Sequence, residues 1–424
     1  MDFLGCRLNE AEQASWHRQF SHRGHTVVTK PQDAHVIAIN TCAVTAEAGR
    51  KSRRVLRRLS KQNPQAKLVA TGCYATLEPD KLIGDVGVDL VVPNGKKDKM
   101  VGQILKSYND GEMPQLSTVP SAQPAFAQTR TRAFVKVQDG CRNRCSFCIV
   151  TVARGAEKSR SIAEVIDEVK HLSNLGYNEI VITGVHLGGY GSDIDTSLDR
   201  LLIALLEKTD VPRIRLGSIE PWNFSTDFFS LFSSTERLCP HLHLPLQSGS
   251  NTILKRMIRR CTVQGYQQIV ELALAANPSF HISTDIIVGF PGETEKEFAQ
   301  TLDTIDKIPF GDMHLFRYSP RKGTAATRLR NHVSGDVKRQ RNKILHKIAA
   351  KKKADFQRSL SGQTRFVLWE RDAERQPDGR LLWRGYTDNY IKVYTISERP
   401  LFNQILKTKL VFMDSERGLF AELQ

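Results

Sequence analysis

The chain has 424 residues, enough for two or three domains with cores of their own. Hydrophobic residues make up 40%, and no apolar run reaches membrane length, so a membrane-spanning protein is excluded. Residues 1–20 lack a basic start followed by an apolar core, so no export signal is expected, and eight cysteines in a cytoplasmic chain point to metal or redox chemistry rather than disulfides. The net charge of +16 is local in origin. Between residues 321 and 360 thirteen Lys/Arg face two acids, and between 50 and 61 there are seven Lys/Arg and no acid. Basic clusters on a soluble chain suggest a polyanion, most simply nucleic acid.

Residues 1–110 alternate strand-like and helix-like stretches. Residues 34–40, 66–71 and 88–92 read as buried strands, and 10–20 and 46–60 as helices. Strands separated by helices imply a parallel, doubly wound α/β sheet. Cys42 and Cys73 each fall just after a strand, and Cys6 follows Leu4-Gly5 and precedes a helix. Carboxyl ends of parallel strands share one sheet edge, where ligands bind, so three distant cysteines are brought together as a three-thiolate site. Buried small hydrophobes are the competing reading for lone cysteines. The 46–60 helix carries Arg50, Lys51, Arg53, Arg54, Arg57 and Arg58 and presents a basic face suited to RNA. Residues 111–130, rich in Pro, Ser, Gln and Ala, read as a linker.

The next strand, 133–138, turns at Asp139-Gly140 into Cys141, Cys145 and Cys148, spaced C-x3-C-x2-C. Three thiolates on one loop suit zinc or an iron–sulfur cluster; a structural zinc site would want a second knuckle nearby, and none follows. A cubane held by three cysteines leaves one iron open to a ligand. Beyond the loop the alternation resumes, with strands at 179–183, 213–219, 241–246, 281–288 and 312–316. With the strand before Cys141 these make a six-stranded partial (βα) barrel, whose chemistry belongs at the carboxyl strand ends. Thr183-Gly184-Val185-His186-Leu187-Gly188-Gly189, Ser218-Ile219-Glu220-Pro221, the helix with Lys255, Arg256 and Arg259, and Asp285-Ile286-Ile287-Val288-Gly289 all fall at such ends. A salt bridge is the competing reading for Glu220 and Arg256, and hydrogen-bonded structural roles for His186, His241 and His243. Cys239 and Cys261 match no motif. Residues 321–360 read as a basic helix, and 365–370, 381–386 and 390–394 as strands of a small all-β domain whose aromatics alternate with Arg and Lys.

The cysteine loop resembles that of the radical S-adenosylmethionine enzymes. The stretch from Val137 through Ala153-Arg154-Gly155, then Ser159-Arg160-Ser161, resembles their methylthiotransferase branch. Gly5-Cys6-Arg7-Leu8-Asn9-Glu10-Ala11-Glu12, Asn40-Thr41-Cys42-Ala43-Val44-Thr45 and Thr71-Gly72-Cys73-Tyr74-Ala75 resemble the three cluster-binding motifs of that family's amino-terminal domain. Only Met1 to Leu4 precede Cys6, where the family usually has a full strand, and Thr151-Val152 stand where it often has a proline and an aromatic. Gly385-Tyr386-Thr387-Asp388-Asn389-Tyr390 resembles the core of the TRAM RNA-binding domain.

The resemblance covers essentially the whole chain. It implies an auxiliary-cluster domain at 1–110, a radical core at 131–358 and a TRAM-like domain at 359–424. It also implies two [4Fe-4S] clusters, one on Cys6, Cys42 and Cys73 and one on Cys141, Cys145 and Cys148. S-adenosylmethionine would be contacted by Gly184, His186, Glu220, Arg256, Asp285 and Gly289. The partners implied are tRNA, a sulfur donor of unspecified nature and an electron donor such as flavodoxin or ferredoxin. The reaction implied is methylthiolation of carbon 2 of N6-threonylcarbamoyladenosine at position 37 of tRNA. Isopentenyladenosine in tRNA and an aspartate of a ribosomal protein are the family's other substrates, and an RNA-binding protein with structural metal is the non-enzymatic alternative.

Overall fold

Short β-rich runs separated by helices set the frame of the amino-terminal part. In a computed structural model that describes residues 2–107, 131–222, 224–225, 227–412 and 417–424, packing groups the chain into two compact units. The first takes in the described residues up to 107 together with 139–158 and 319–327; the second takes in 131–138, 159–318 and the rest of the chain from 328. The linker expected at 111–130 lies outside the described residues.

In the first unit, β1 (Asp2–Phe3), β2 (Val36–Thr41), β3 (Lys67–Gly72) and β4 (Leu90–Val92) form one parallel sheet in that order. Successive side chains of a strand point to opposite faces, so apolar runs in β2 and β3 need cover on both. The helix α1 (Arg7–His22) and α5 (Met100–Ser107) supply Trp16, Phe20, Met100 and Ile104 against Ala38, Val69 and Val92. On the other face, α2 (Ala46–Gln62) and α4 (Pro79–Val86) supply Val55, Leu56, Leu59, Leu82 and Val86 against Ile37, Ile39, Leu68 and Ala70. Helices on both faces are the doubly wound arrangement expected. Thr45 caps α2 by accepting the Ala48 N–H at 3.1 Å. Two short helices complete the unit, α3 (Cys73–Leu77) and α6 (Val150–Arg154).

In the second unit six parallel strands follow one another as β5 (Arg132–Lys136), β6 (Glu179–Thr183), β7 (Arg213–Leu216), β8 (His241–His243), β9 (His281–Val288) and β10 (Phe310–Arg317). Parallel bridges Ile214–Leu238 and Ser218–His243 join the two halves between β7 and β8. The crossover helices are α7 (Ile162–Asn174), α8 (Leu198–Lys208), α9 (Phe228–Ser234), α10 (Asn251–Arg256), α11 (Val263–Ala276) and α12 (Glu295–Lys307). Ser161 with Glu164, and Thr294 with Glu297, close reciprocal capping boxes at the starts of α7 and α12.

The basic helix expected from 321 begins later, as α13 (Gly335–Ser359), capped by Ser334. Asn331 holds a φ of 59°, a left-handed conformation that a helix cannot pass through, and the run before it forms only a short 3-10 helix at Ala325–Arg328. The chain then closes a five-stranded barrel, β11 (Thr364–Arg375), β12 (Leu381–Thr387), β13 (Lys392–Ser397), β14 (Ile405–Phe412) and β15 (Leu419–Leu423), around Val367, Trp369, Trp383, Val393 and Leu410. Three strands were expected here; β14 and β15 complete the closure. This barrel docks on the parallel strands through Arg213 and Arg215. The Arg215 guanidinium sits 2.7 Å from Glu179 and donates to the Asp388 carbonyl at 2.9 Å.

Candidate active site

Each cysteine of the first set stands where a strand stops. Cys6 is the residue before α1, Cys42 follows β2, and Cys73 opens α3 directly after β3. Glycines make the close approach possible. A Cβ on Gly5, at φ 104°, would lie 2.7 Å from the Cys42 sulfur, and one on Gly72, at φ 97°, would lie 2.3 Å from the Thr41 carbonyl. The Asn94 amide nitrogen is 3.7 Å from Cys73 Sγ, and Cys6 Sγ is 3.8 Å from Asn9 Oδ1. Burial pushes the Cys42 thiol up to about 11, and the neighbouring Cys6 and Cys73 add to the effect. Cysteine sulfurs are soft donors, and a set of three fits a cation that binds sulfur.

The second set is held by its own backbone. Cys141 N–H donates to the Gly155 carbonyl at 3.0 Å, Cys148 N–H to Cys145 O at 3.0 Å, and Val150 N–H to Cys148 Sγ at 3.4 Å. Gly140, at φ 69°, allows the turn into the loop, since a Cβ there would overlap the Ala156 carbonyl oxygen at 1.8 Å. Thr151, at the position where proline was expected, donates its hydroxyl to Asn143 O at 3.0 Å and ties the loop across itself. An N–H bond to a ligand-forming sulfur and a tied loop are the surroundings that an iron–sulfur cluster uses.

Between the two sets lies a buried polar hub that the sequence alone did not single out. Arg154 ends α6 and reaches Glu12 Oε1 at 3.0 Å, Asn9 Oδ1 at 2.8 Å and Asp139 Oδ1 at 2.8 Å. Lys97 Nζ meets the other oxygen of Glu12 at 2.5 Å, and Asn40 donates to it at 2.9 Å. The side chains of Arg154, Glu12 and Lys97 are each 2% exposed. Asn94 adds a bond to the Ala153 carbonyl at 2.7 Å. The hub thus draws on residues beside Cys6, Cys42 and Cys73 and on the loop of Cys141. The one signal in the sequence was the polar content of motifs otherwise apolar around their cysteines.

At the barrel's strand ends, Gln138 Oε1 accepts the N–H groups of Val185 and His186 at 2.9 and 2.8 Å, and Gly184 packs against the same side chain. Glu220 is half-buried, and its enclosed Oε2 has no hydrogen-bond partner among the described residues; His186 Nε2 lies 3.7 Å from it. Burial pushes this carboxyl above its ordinary value. An orphaned acid at a strand end fits a ligand bearing an ammonium or hydroxyl group. Arg259 stacks on Trp222 at 4.4 Å beside it, two neighbours that the sequence did not place there. The structural salt bridge weighed for Arg256 is present, with Glu297 as its partner. Arg256 pairs with Glu297 at 3.2 Å and with the Gly292 carbonyl at 2.7 Å. Gly289, at φ 70°, donates its N–H to Glu293 at 2.7 Å. The Asp285 carboxylate is engaged by His243 and His314. Cys239 is buried against Arg215 and matches neither thiol set.

Family models match twice: the one described as "Radical SAM superfamily" over residues 135–305, and the one described as "Uncharacterized protein family UPF0004" over residues 1–93. The threonylcarbamoyladenosine tRNA methylthiotransferase MtaB of Bacillus subtilis is 36% identical over 419 residues, covering 96% of this chain and 92% of that protein. Its namesake in Thermotoga maritima is 34% identical over 94% of this chain and 91% of that protein. The tRNA-2-methylthio-N(6)-dimethylallyladenosine synthase of Akkermansia muciniphila is 34% identical over 82% of this chain and 83% of that protein. Among solved structures, the radical S-adenosylmethionine methyltransferase TsrM from Kitasatospora setae superposes with a TM-score of 0.52 at 16% identity, over 73% of this chain and 68% of that one, a likeness of fold alone.

Proposed function

The chain belongs to the radical S-adenosylmethionine tRNA methylthiotransferases, and we propose that it transfers a methylthio group to carbon 2 of N6-threonylcarbamoyladenosine at position 37 of tRNA. The observation that carries the choice of nucleoside is the 36% identity over nearly the full chain to a relative named for it. The family uses S-adenosylmethionine and a [4Fe-4S] cluster. We assign that cluster to Cys141, Cys145 and Cys148 and a second one to Cys6, Cys42 and Cys73. Together the clusters and S-adenosylmethionine supply the radical, the sulfur and the methyl group when bound.

The chain's own residues orient and shield. Backbone from Gly184 to Gly189 and the orphaned Glu220 oxygen receive the polar end of S-adenosylmethionine, with Arg259 and Trp222 walling that side. Gly140 and Thr151 fix the loop that presents three sulfurs. The exposed Arg50, Arg54, Arg57 and Arg58 of α2 and the basic face of α13 neutralise RNA phosphates. The five-stranded barrel, read as TRAM-like, adds Tyr394, whose ring lies between Lys392 and Arg417.

The test is anaerobic incubation of reconstituted enzyme with S-adenosylmethionine, dithionite and two tRNAs, one bearing each modified adenosine, followed by nucleoside mass spectrometry. A methylthio mass gain on the threonylcarbamoyl nucleoside is expected. Gain on the isopentenyl nucleoside alone would keep the chemistry and overturn the substrate.

A further inference from the structure

The partial barrel holds a polar cluster in which the family resemblance assigns only Asp285, to S-adenosylmethionine, and leaves His243 and His314 without a role. His314 of β10 is the direct neighbour of Asp285 on β9. Both alternate with Thr284, Ile286 and Met313, which are buried on the opposite face of the sheet. Asp285 Oδ1 lies 3.2 Å from His243 Nε2 and 3.3 Å from His314 Nδ1, and the two imidazole rings are 5.0 Å apart. His243 Nδ1 is also engaged, 3.0 Å from Ser283 Oγ. Both nitrogens of His243 are therefore committed, and so is one of His314. His314 Nε2 has no partner among the described residues, on a side chain that is 58% exposed where Asp285 is 23% and His243 14% exposed.

A carboxylate accepts hydrogen bonds, so the His314 nitrogen facing Asp285 carries its proton there. If Nε2 also carries one, the ring is a cation with its single outward N–H aimed into the barrel. Asp285 holds the His314 imidazole above its ordinary value through that hydrogen bond; burial opposes it, Asp312 on the same strand adds to it, and Lys353 on α13 works against it. Burial on its own would raise the Asp285 carboxyl, but the bonds from His243 and His314 keep it well below the usual carboxylate range. His314 stands three residues short of Arg317, the last residue of β10, roughly 10 Å inside the rim at strand spacing.

We propose that His314, oriented by Asp285, binds the carboxylate of the threonylcarbamoyl group and thereby distinguishes this substrate from its isopentenyl counterpart. This rests on the substrate assigned above. The threonylcarbamoyl group ends in a carboxylate, which pairs with an imidazolium in a charge-assisted bond. An isopentenyl group is hydrocarbon and would cover the outward Nε2–H without accepting from it, which is costly and discriminates against it.

The test uses reconstituted holoenzyme and three tRNAs carrying threonylcarbamoyladenosine, its carboxyl methyl ester, or isopentenyladenosine. Wild type, His314→Gln and His314→Phe are compared by kcat/KM, with iron per chain measured for each to register correct assembly. Wild type is expected to lose about 10- to 100-fold on the ester relative to the acid, the scale of a hydrogen bond to a charged group. His314→Phe is expected to lose that much on the acid, through KM more than kcat, and to treat acid and ester alike; His314→Gln should fall between. Equal turnover of acid and ester by wild type, or a His314→Phe enzyme that still prefers the acid, overturns the inference while leaving the substrate assignment intact. Wild-type activity confined to the isopentenyl tRNA overturns both. The ligand atoms of His243, Asp285 and His314 lie within 4.8 Å of one another, a spacing that a divalent ion also takes. One equivalent of non-cluster metal that survives dialysis against EDTA and disappears in both variants would overturn the inference as well.

Discussion

Arg154 shows how much of this molecule rests on single buried charges. Its guanidinium satisfies Glu12, Asn9 and Asp139 at once, in a place where an unpaired ion would be costly. Arg154→Ala leaves Glu12 with Lys97 and Asn40 but strips its Oε1 and the Asn9 Oδ1 of their donor, a loss of about 1–3 kcal/mol. Chemical denaturation of the anaerobic protein should show it as a lowered midpoint; an unchanged midpoint would mean that the hub holds nothing. Gly140→Ala should block the loop outright, because the added Cβ meets a carbonyl oxygen, and its product should bind less iron than wild type. Thr151→Val should cost about 1 kcal/mol by the same denaturation, the net worth of one hydrogen bond. At this scale the positions of Cys42 and Cys73 directly after strands were legible, because apolar runs precede them. Glu12 and Arg154 were not. A helix start at residue 7 rather than 10 decides which of its residues turn inward, and burial of a charge leaves no mark in the letters until its partners are known.

Elements carry the nucleic-acid face and the joint to the carboxyl-terminal barrel. In α2 the apolar residues Val55, Leu56 and Leu59 turn to the sheet, so the cations are left on the outer side. Replacing Arg54, Arg57 and Arg58 with Glu should weaken tRNA binding and flatten its salt dependence by roughly 0.7–0.9 in log–log slope for each phosphate no longer neutralised. Fluorescence anisotropy across potassium chloride concentrations measures both, and an unaltered slope would remove α2 from the interface. At the joint, burial works to raise the Glu179 carboxyl, but Arg215, Arg132 and Arg213 hold it at about 2. A depressed carboxylate stabilises the fold above its unfolded value near 4.5, and that stabilisation is lost as pH falls from 4.5 toward 2. The advantage of wild type over Glu179→Gln in denaturation midpoint should therefore shrink between pH 6 and pH 3, by about 2 kcal/mol. The parallel strands were legible from their apolar runs. The strands 405–412 and 419–423 were not, because Lys407 and Lys409 interrupt the first and the second is only five residues long. Charge density alone starts the long basic helix too early, because it does not report a left-handed residue such as Asn331.

At the scale of the whole molecule, the sequence resemblance divides the chain by motif, whereas packing divides it by proximity. The loop 139–158 groups with the amino-terminal sheet, which puts both thiol sets in one compact unit sharing the Arg154 hub. The six-stranded partial barrel and the five-stranded barrel form the other, joined through Arg213 and Arg215. Spacing along the chain could not foresee this, since the bonds that make it run from residue 154 to residues 9 and 12. The proposed chemistry requires two separate cluster sites of three cysteines each. Iron and acid-labile sulfide per chain should therefore be measured after anaerobic reconstitution for wild type, for the triple alanine variant of Cys6, Cys42 and Cys73, and for that of Cys141, Cys145 and Cys148. About eight irons in wild type and about four in each variant is the predicted result. Full iron retained by either variant, or about four irons in wild type, would contradict it.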